Sequence, residues 1–239
     1  MPDRDVTLTT PDGPMRAYEA TPATGAPTTG VIVIPEAFGL NDHIESIADR
    51  IAEAGHIGVG IDIFHRSGGG TAPYDDFNKV LPLFEGLRDD GLLDDIDAAR
   101  EHLHAAGIDD AHIGIVGFCF GGRTTFLAAV RRRLGASVGF YGGGIVTGRF
   151  PQFPPLVDEA SSLQSPWLGL FGDADESIPV DDVELLRSTL DDQTTVEHEV
   201  VRFADAQHGF NCDQRPSYNP AAAADAWRRT LAWFEAHLG

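Results

Sequence analysis

The chain has 239 residues, 42% of them hydrophobic and 9% aromatic, which is enough for one large globular domain over 1–239 with a sizeable core. Its net charge of −20 gives a surface that repels nucleic acid and anionic membranes. No apolar run approaches the roughly 18 residues of a membrane span, and two cysteines, Cys119 and Cys212, cannot make a disulfide framework.

Met1-Pro2-Asp3-Arg4-Asp5 lacks the basic start and apolar core of a signal peptide, so the expected compartment is a reducing cytoplasm. Lys79 is the only lysine. An acidic surface of this kind predicts a high-salt adaptation, in which salt screens the repulsion between carboxylates. The melting temperature is then expected to rise from low to molar salt, and equal stability in both would overturn the expectation.

In chain order, Val6–Thr10 and Met15–Glu19 flank Pro11-Asp12-Gly13-Pro14 and predict an antiparallel hairpin. After a small-residue link, Val31–Ile34 is an unbroken apolar run typical of a buried parallel strand. Asn41 or Asp42 can cap a helix with Ile44, Ile47, Ala48 and Ile51 on one face, closed by Gly55. Ile57–Phe64 reads as a strand, 75–87 and 94–106 as helices, and Ile113–Val116 as a strand running into a helix over 124–130. Further strands are expected at 138–141, 167–171 and 196–203, with helices at 183–190 and 221–238 and a Pro-rich loop at 149–156. This alternation predicts a mostly parallel central sheet with helices on both faces. Ligands in such folds bind at the C-terminal ends of the strands.

The reactive residues fall at those ends. Gly117-Phe118-Cys119-Phe120-Gly121 joins a strand to a helix, the context of a nucleophile elbow, with a thiol at its tip. The helix N-terminus beneath it favours negative charge and so the thiolate, the reactive form of cysteine. A buried structural cysteine is the alternative. The α/β-hydrolase order of nucleophile, acid and histidine is met by Cys119, Asp175 and His208, with Asp173 a rival acid and Asp181 and Asp182 weaker ones. His208 would move the proton, the acid would fix its tautomer, and the backbone N–H groups of Ala37 and Phe120 would form the oxyanion hole.

Five segments together resemble the dienelactone hydrolase (carboxymethylenebutenolidase) family: Gly-Phe-Cys-Phe-Gly-Gly at 117–122, Pro-Glu-Ala-Phe-Gly at 35–39, Asp-Ile-Phe-His-Arg at 62–66, Asp-Glu-Ser-Ile-Pro at 175–179 and His-Gly-Phe at 208–210. The resemblance runs from about Val31 to the C-terminus and implies an α/β-hydrolase fold. It implies that Asp175 is the acid, and that Glu36 faces the nucleophile, holds the thiol at rest and helps form the thiolate. It implies that Arg66 binds a substrate carboxylate, and it matches Tyr141 to a tyrosine after the strand that follows the elbow, in pocket or core. The family's second arginine, four residues after the histidine, is replaced here by Cys212, with Arg215 nearby in sequence.

The expected activity is hydrolysis of lactones or esters through an acyl thioester, without cofactor or metal. An amide nitrogen leaves less easily than a thiolate without strong acid help, so peptides are not expected as substrates. The expected partner is a small lactone or ester, carboxylate-bearing if Arg66 binds it, and the expected state is a monomer or small homo-oligomer. A general carboxylesterase or thioesterase, a non-enzymatic thiol sensor on the same fold, and a metal site at His208 and Cys212 are the competing readings.

Overall fold

The computed structural model describes residues 4–239; Met1 to Asp3, which begin the segment without a signal-peptide pattern, lie outside the described residues. The turn at Pro11-Asp12-Gly13 folds β1 (Asp5–Thr10) onto β2 (Gly13–Ala20) as an antiparallel hairpin. The unbroken apolar runs become the middle of the sheet: β3 (Gly30–Ile34), β4 (Ile57–Ile61), β5 (Ile113–Phe118), β6 (Ala136–Phe140) and β7 (Trp167–Gly172) are buried at every position. β8 (His198–Phe203) closes one edge and is only partly covered.

The eight strands run in the order β1-β2-β4-β3-β5-β6-β7-β8. β2 pairs antiparallel with β1 and β4, and every other pairing is parallel. This is the mostly parallel sheet of the α/β-hydrolase fold.

Asn41 caps α1 (Asp42–Glu53) by accepting the Ile44 N–H. Ile44, Ile47, Ala48 and Ile51 are all buried along it. A short α2 (Leu81–Phe84) follows β4, then α3 (Asp89–Ala105), α4 (Phe120–Arg131), α5 (Val180–Gln193) and α6 (Pro220–Leu238). The helices cover both faces. Leu103 of α3 packs over Gly30, while Phe234 and Leu238 of α6 pack over Gly114. Gly30 pairs with Ile113, the neighbour of Gly114, so α3 and α6 press on opposite sides of the sheet. The Arg50 guanidinium of α1 stacks 3.8 Å from the Trp227 ring of α6, on the α6 side.

Two expectations change. The strand at 57–64 ends at Ile61, because the Asp62 carboxylate accepts the Phe64 N–H and turns the chain. The helix expected over 75–87 is broken into a 3-10 turn at Phe77–Lys79 and the four-residue α2. Pro82 cannot donate inside a continuous helix, so the chain breaks before it and restarts with the proline in the first turn. The break leaves Phe77 half exposed, at 52%, with Phe84 buried. Among the described residues, no helix is long and apolar enough to cross a membrane.

Candidate active site

Cys119 stands at the turn from β5 into α4 with φ 54° and ψ −113°, a conformation that non-glycine residues rarely adopt. Its N–H donates to the Phe140 carbonyl at 3.0 Å, and its carbonyl accepts the Arg123 N–H at 3.2 Å. The turn is too tight for side chains beside it: a Cβ on Gly117 would lie 2.2 Å from the Gly121 carbonyl oxygen, and one on Gly121 would lie 2.4 Å from that of Ile34. Both glycines are therefore fixed by close backbone approach. Phe120 opens α4, so its N–H has no acceptor inside the helix. Ala37, from the loop after β3, lines the same cavity as Cys119 and Phe120.

His208 follows β8, and its Nδ1 lies 2.7 Å from Asp175 Oδ2. Asp175 is buried in the loop after β7. Its other oxygen accepts the Ser177 N–H at 2.8 Å and the Ser177 hydroxyl at 2.6 Å. That hydroxyl also lies 3.2 Å from His208 Nδ1. The rival Asp173 is taken by a two-pronged pair with Arg202 at 2.7 and 2.9 Å, and Asp182 accepts from Thr147.

Burial alone would lower the His208 pKa. The Cys119 charge and the hydrogen bonds the ring donates to Asp175 and to Cys119 outweigh it and raise the pKa to about 10. Burial acts to raise the Asp175 pKa, but the His208 hydrogen bond and charge bring it below the usual carboxylate value.

Beside this pair lies a buried polar cluster. Glu36 is fully buried, and its Oε1 accepts from Arg215 Nη1 at 3.1 Å. Its Oε2 is buried with no hydrogen-bond partner. Burial raises the Glu36 pKa against the lowering charges of Arg215 and His208. The Arg215 guanidinium sits 5.7 Å from both the Phe38 and the Tyr74 ring. The Tyr74 hydroxyl accepts from Asn41 at 3.0 Å and from the Cys212 thiol at 3.4 Å.

Two residues that the resemblance matched to the substrate site have other partners in this structure. Arg66 donates to Asp95 at 2.8 and 2.9 Å, to Asp12 at 2.6 Å and to the Gly91 carbonyl at 3.0 Å, with its side chain 7% exposed. Its fork is closed by Asp95, so in this structure it holds the loop after β4 to α3 rather than waiting for a carboxylate. Arg66→Leu would leave the buried Asp95 with only His65 as partner. It is expected to cost roughly 3 kcal/mol in chemical denaturation while kcat/KM on neutral esters stays within about twofold. A tenfold fall in kcat/KM at unchanged stability would return Arg66 to the substrate.

Tyr141 is fully buried with φ 38°, because the tight turn after β6 drives its ring inward. The ring meets His208 edge-on at 5.1 Å and Phe210 at 5.2 Å, so it packs against the histidine and is not among the residues lining the cavity beside Cys119.

Sequence reasoning missed Ser177 and Tyr74, and named Arg215 only as a neighbour in sequence of the replaced arginine. For Ser177 a signal existed, since Asp-x-Ser after a strand is the pattern of an Asx turn. Arg215 and Tyr74 reach the site from loops, and no spacing in the sequence announces them. Among the described residues, no group of three or more His, Cys, Asp or Glu side chains could hold a metal ion.

Two concavities open onto this chemistry. One encloses about 550 Å³ of space free of protein atoms, part of it open to solvent, and is lined by Cys119, Ala37, Phe120 and further phenylalanines. The other is lined by His208, Asp175, Ser177, Arg215 and Tyr74.

The profile described as "Dienelactone hydrolase family" matches residues 15–238. A curated Escherichia coli (strain K12) protein named "Putative carboxymethylenebutenolidase" is 37% identical over 233 residues, covering 94% of this chain and 83% of that one. A Bradyrhizobium sp. protein named "Probable 2-oxo-3-(5-oxofuran-2-ylidene)propanoate lactonase" is 34% identical over 228 residues, covering 93% of this chain and 89% of that one. Among solved structures, the "Putative Dienelactone Hydrolase" of Klebsiella pneumoniae subsp. pneumoniae MGH 78578 superposes with a TM-score of 0.87 at 34% identity, covering 97% of both chains.

Proposed function

We propose that this chain, which belongs to the dienelactone hydrolase family and hydrolyses carboxylic ester bonds, does so with Cys119 as nucleophile, His208 as acid and base, and Asp175 as the group that orients the histidine. The observation that carries the reading is the His208 ring, whose Nδ1 is held 2.7 Å from the buried Asp175 at the same strand ends where Cys119 stands.

The steps balance. The Cys119 sulfur adds to the ester or lactone carbonyl, and the oxygen that becomes an anion sits against the Ala37 and Phe120 N–H groups. The carbon–oxygen bond breaks as the His208 imidazolium gives its proton to the leaving oxygen, which leaves an acyl thioester and a neutral imidazole. That imidazole takes a proton from water as the water attacks the thioester. The second intermediate then expels the sulfur and releases the acid, restoring the starting pair. A thiolate is a good leaving group, so forward collapse needs an alcohol or enol as rival rather than an amide nitrogen. Glu36 takes no proton in this cycle; its Oε1 is engaged by Arg215 beside the site.

Mass spectrometry of enzyme quenched during turnover tests this reading. A hydroxylamine-labile acyl adduct on the peptide holding Cys119 is expected, and the same adduct on any other residue would overturn it.

The proton on His208 also sets a pH limit. The folded pKa lies above the unfolded value of about 6.5, so the stabilisation of the protonated ring is full below 6.5 and is lost as pH rises to about 10. With an alkyl ester, whose alkoxide needs that proton, kcat/KM is expected to hold until the pH approaches about 10 and then fall, measured by pH-stat against a Cys119→Ala blank. A fall near the ordinary histidine value of about 6.5 would sink it.

A further inference from the structure

We propose that the cavity beside Cys119 is an acyl pocket that selects an uncharged aryl or arylalkyl group, with the alcohol departing on the His208 side. This rests on the assignment of Cys119 and His208 above.

Two observations carry it. First, the two concavities divide the machinery. The sulfur and both oxyanion donors line one cavity, which His208 does not line. His208 lines the other, together with Asp175, Ser177, Arg215 and Ser217, and Cys119 does not. The acyl group stays bonded to sulfur after the alcohol has gone, and the oxygen that receives the proton must face His208. The acyl carbon chain therefore extends into the first cavity, and the alcohol points into the polar one.

Second, the first cavity is built of rings. Phe77, Phe84, Phe120, Phe150 and Phe153 line it. Phe84 meets Phe120 edge-on at 4.9 Å, and Phe120 meets Phe153 at 4.9 Å, so a further ring can join an existing edge-to-face cluster. Arg123 lies in the wall 5.3 Å from the Phe153 ring, but its charge is already matched. It forks onto Asp89 at 2.7 and 3.0 Å and donates to the Pro154 carbonyl at 2.7 Å. A second carboxylate there would meet no free charge. Arg149 also lines the cavity, but at its exposed rim, where water screens its charge and its guanidinium donates to the Ser177 carbonyl. An interior of rings beside a paired Arg123, with Arg149 out at the solvated rim, suits a neutral ring, and the anionic acyl group of a dienelactone fits it less well.

The test uses the full chain and pairs of esters. With a constant 4-nitrophenyl leaving group, the phenylacetate is expected to exceed the acetate in kcat/KM by at least about tenfold, after correction for their uncatalysed rates. In the double variant Phe77→Ala, Phe150→Ala that ratio is expected to fall to within about twofold of one. Phe77 is 52% exposed and Phe150 partly so, which leaves the fold intact. The ratio of benzyl acetate to ethyl acetate, where the ring is on the alcohol, is expected not to change in that variant. Equal rates on phenylacetate and acetate in the wild type, or a loss confined to benzyl acetate, would overturn the proposal.

A second measurement does not depend on turnover. Phenylacetamide is expected to slow the alkylation of Cys119 by iodoacetamide where acetamide does not, read by mass spectrometry. Protection without any ester turnover would support the pocket and refute the hydrolytic assignment. Absence of protection with ester turnover intact would refute the pocket alone.

Discussion

Cys119→Ala is expected to lower kcat/KM on lactones and esters by about 10⁴-fold or more, because the acyl acceptor is gone and only binding and the oxyanion donors remain. The loss is expected to come without unfolding. The strain at φ 54° belongs to the backbone and Cβ, which alanine keeps, and the sulfur is only partly buried. The far-ultraviolet circular dichroism should therefore match the wild type. The measurement is the initial rate on dienelactone and on 4-nitrophenyl phenylacetate, each in low and molar salt. A variant that keeps wild-type turnover would remove Cys119 from the chemistry. Turnover of the phenylacetate by the wild type alone, with dienelactone inert, would match the closed fork of Arg66 and the apolar acyl cavity.

Asp175→Asn should be nearly as severe, with kcat reduced about 10³- to 10⁴-fold and KM little changed. Asparagine keeps an oxygen to accept the Ser177 N–H and hydroxyl, so the loop after β7 survives. On the His208 side it presents an amide N–H where the carboxylate accepted at 2.7 Å. The ring must then turn its unprotonated nitrogen to the introduced amide and its proton to the sulfur side, which is the wrong tautomer for taking a proton from water. The charge that helps raise the His208 pKa is also removed, so the ring titrates lower. Steady-state kinetics with a neutral ester would decide it, since a kcat within tenfold of wild type would leave Asp175 a structural acid.

The fold could be read because its signals are local. Unbroken runs such as Val31–Ile34 have one comfortable place, the middle of a parallel sheet, and they took it. The Asn41 cap and the four-residue spacing of α1 were equally direct. At 75–87 the periodicity predicted one helix, and Pro82 overrode it, since a missing donor outranks a pattern.

Cys119, Asp175 and His208 could be placed after strands from the sequence pattern, and the structure has them there, though Asp173 competed with Asp175 until the resemblance chose between them. Arginines were harder to place, because a long flexible side chain carries its charge to whichever acid the fold brings near. Arg66 was drawn to Asp95, which α3 buries, and Arg215 to Glu36 across 179 positions of sequence. Neither meeting leaves a trace in spacing.

The break before Pro82 has a consequence for how such a protein diversifies. Cys119, Asp175 and His208 hang from strand ends whose register the whole core defends. Phe77 and Phe84 stand on a short interrupted segment, and Phe150 and Phe153 on a loop outside the sheet. Substitutions and insertions there change which molecules are admitted while leaving the bond-breaking apparatus untouched. Descendants of one ancestral scaffold can therefore part company over diet long before they part company over chemistry, and the interrupted segment is where that history would be written first.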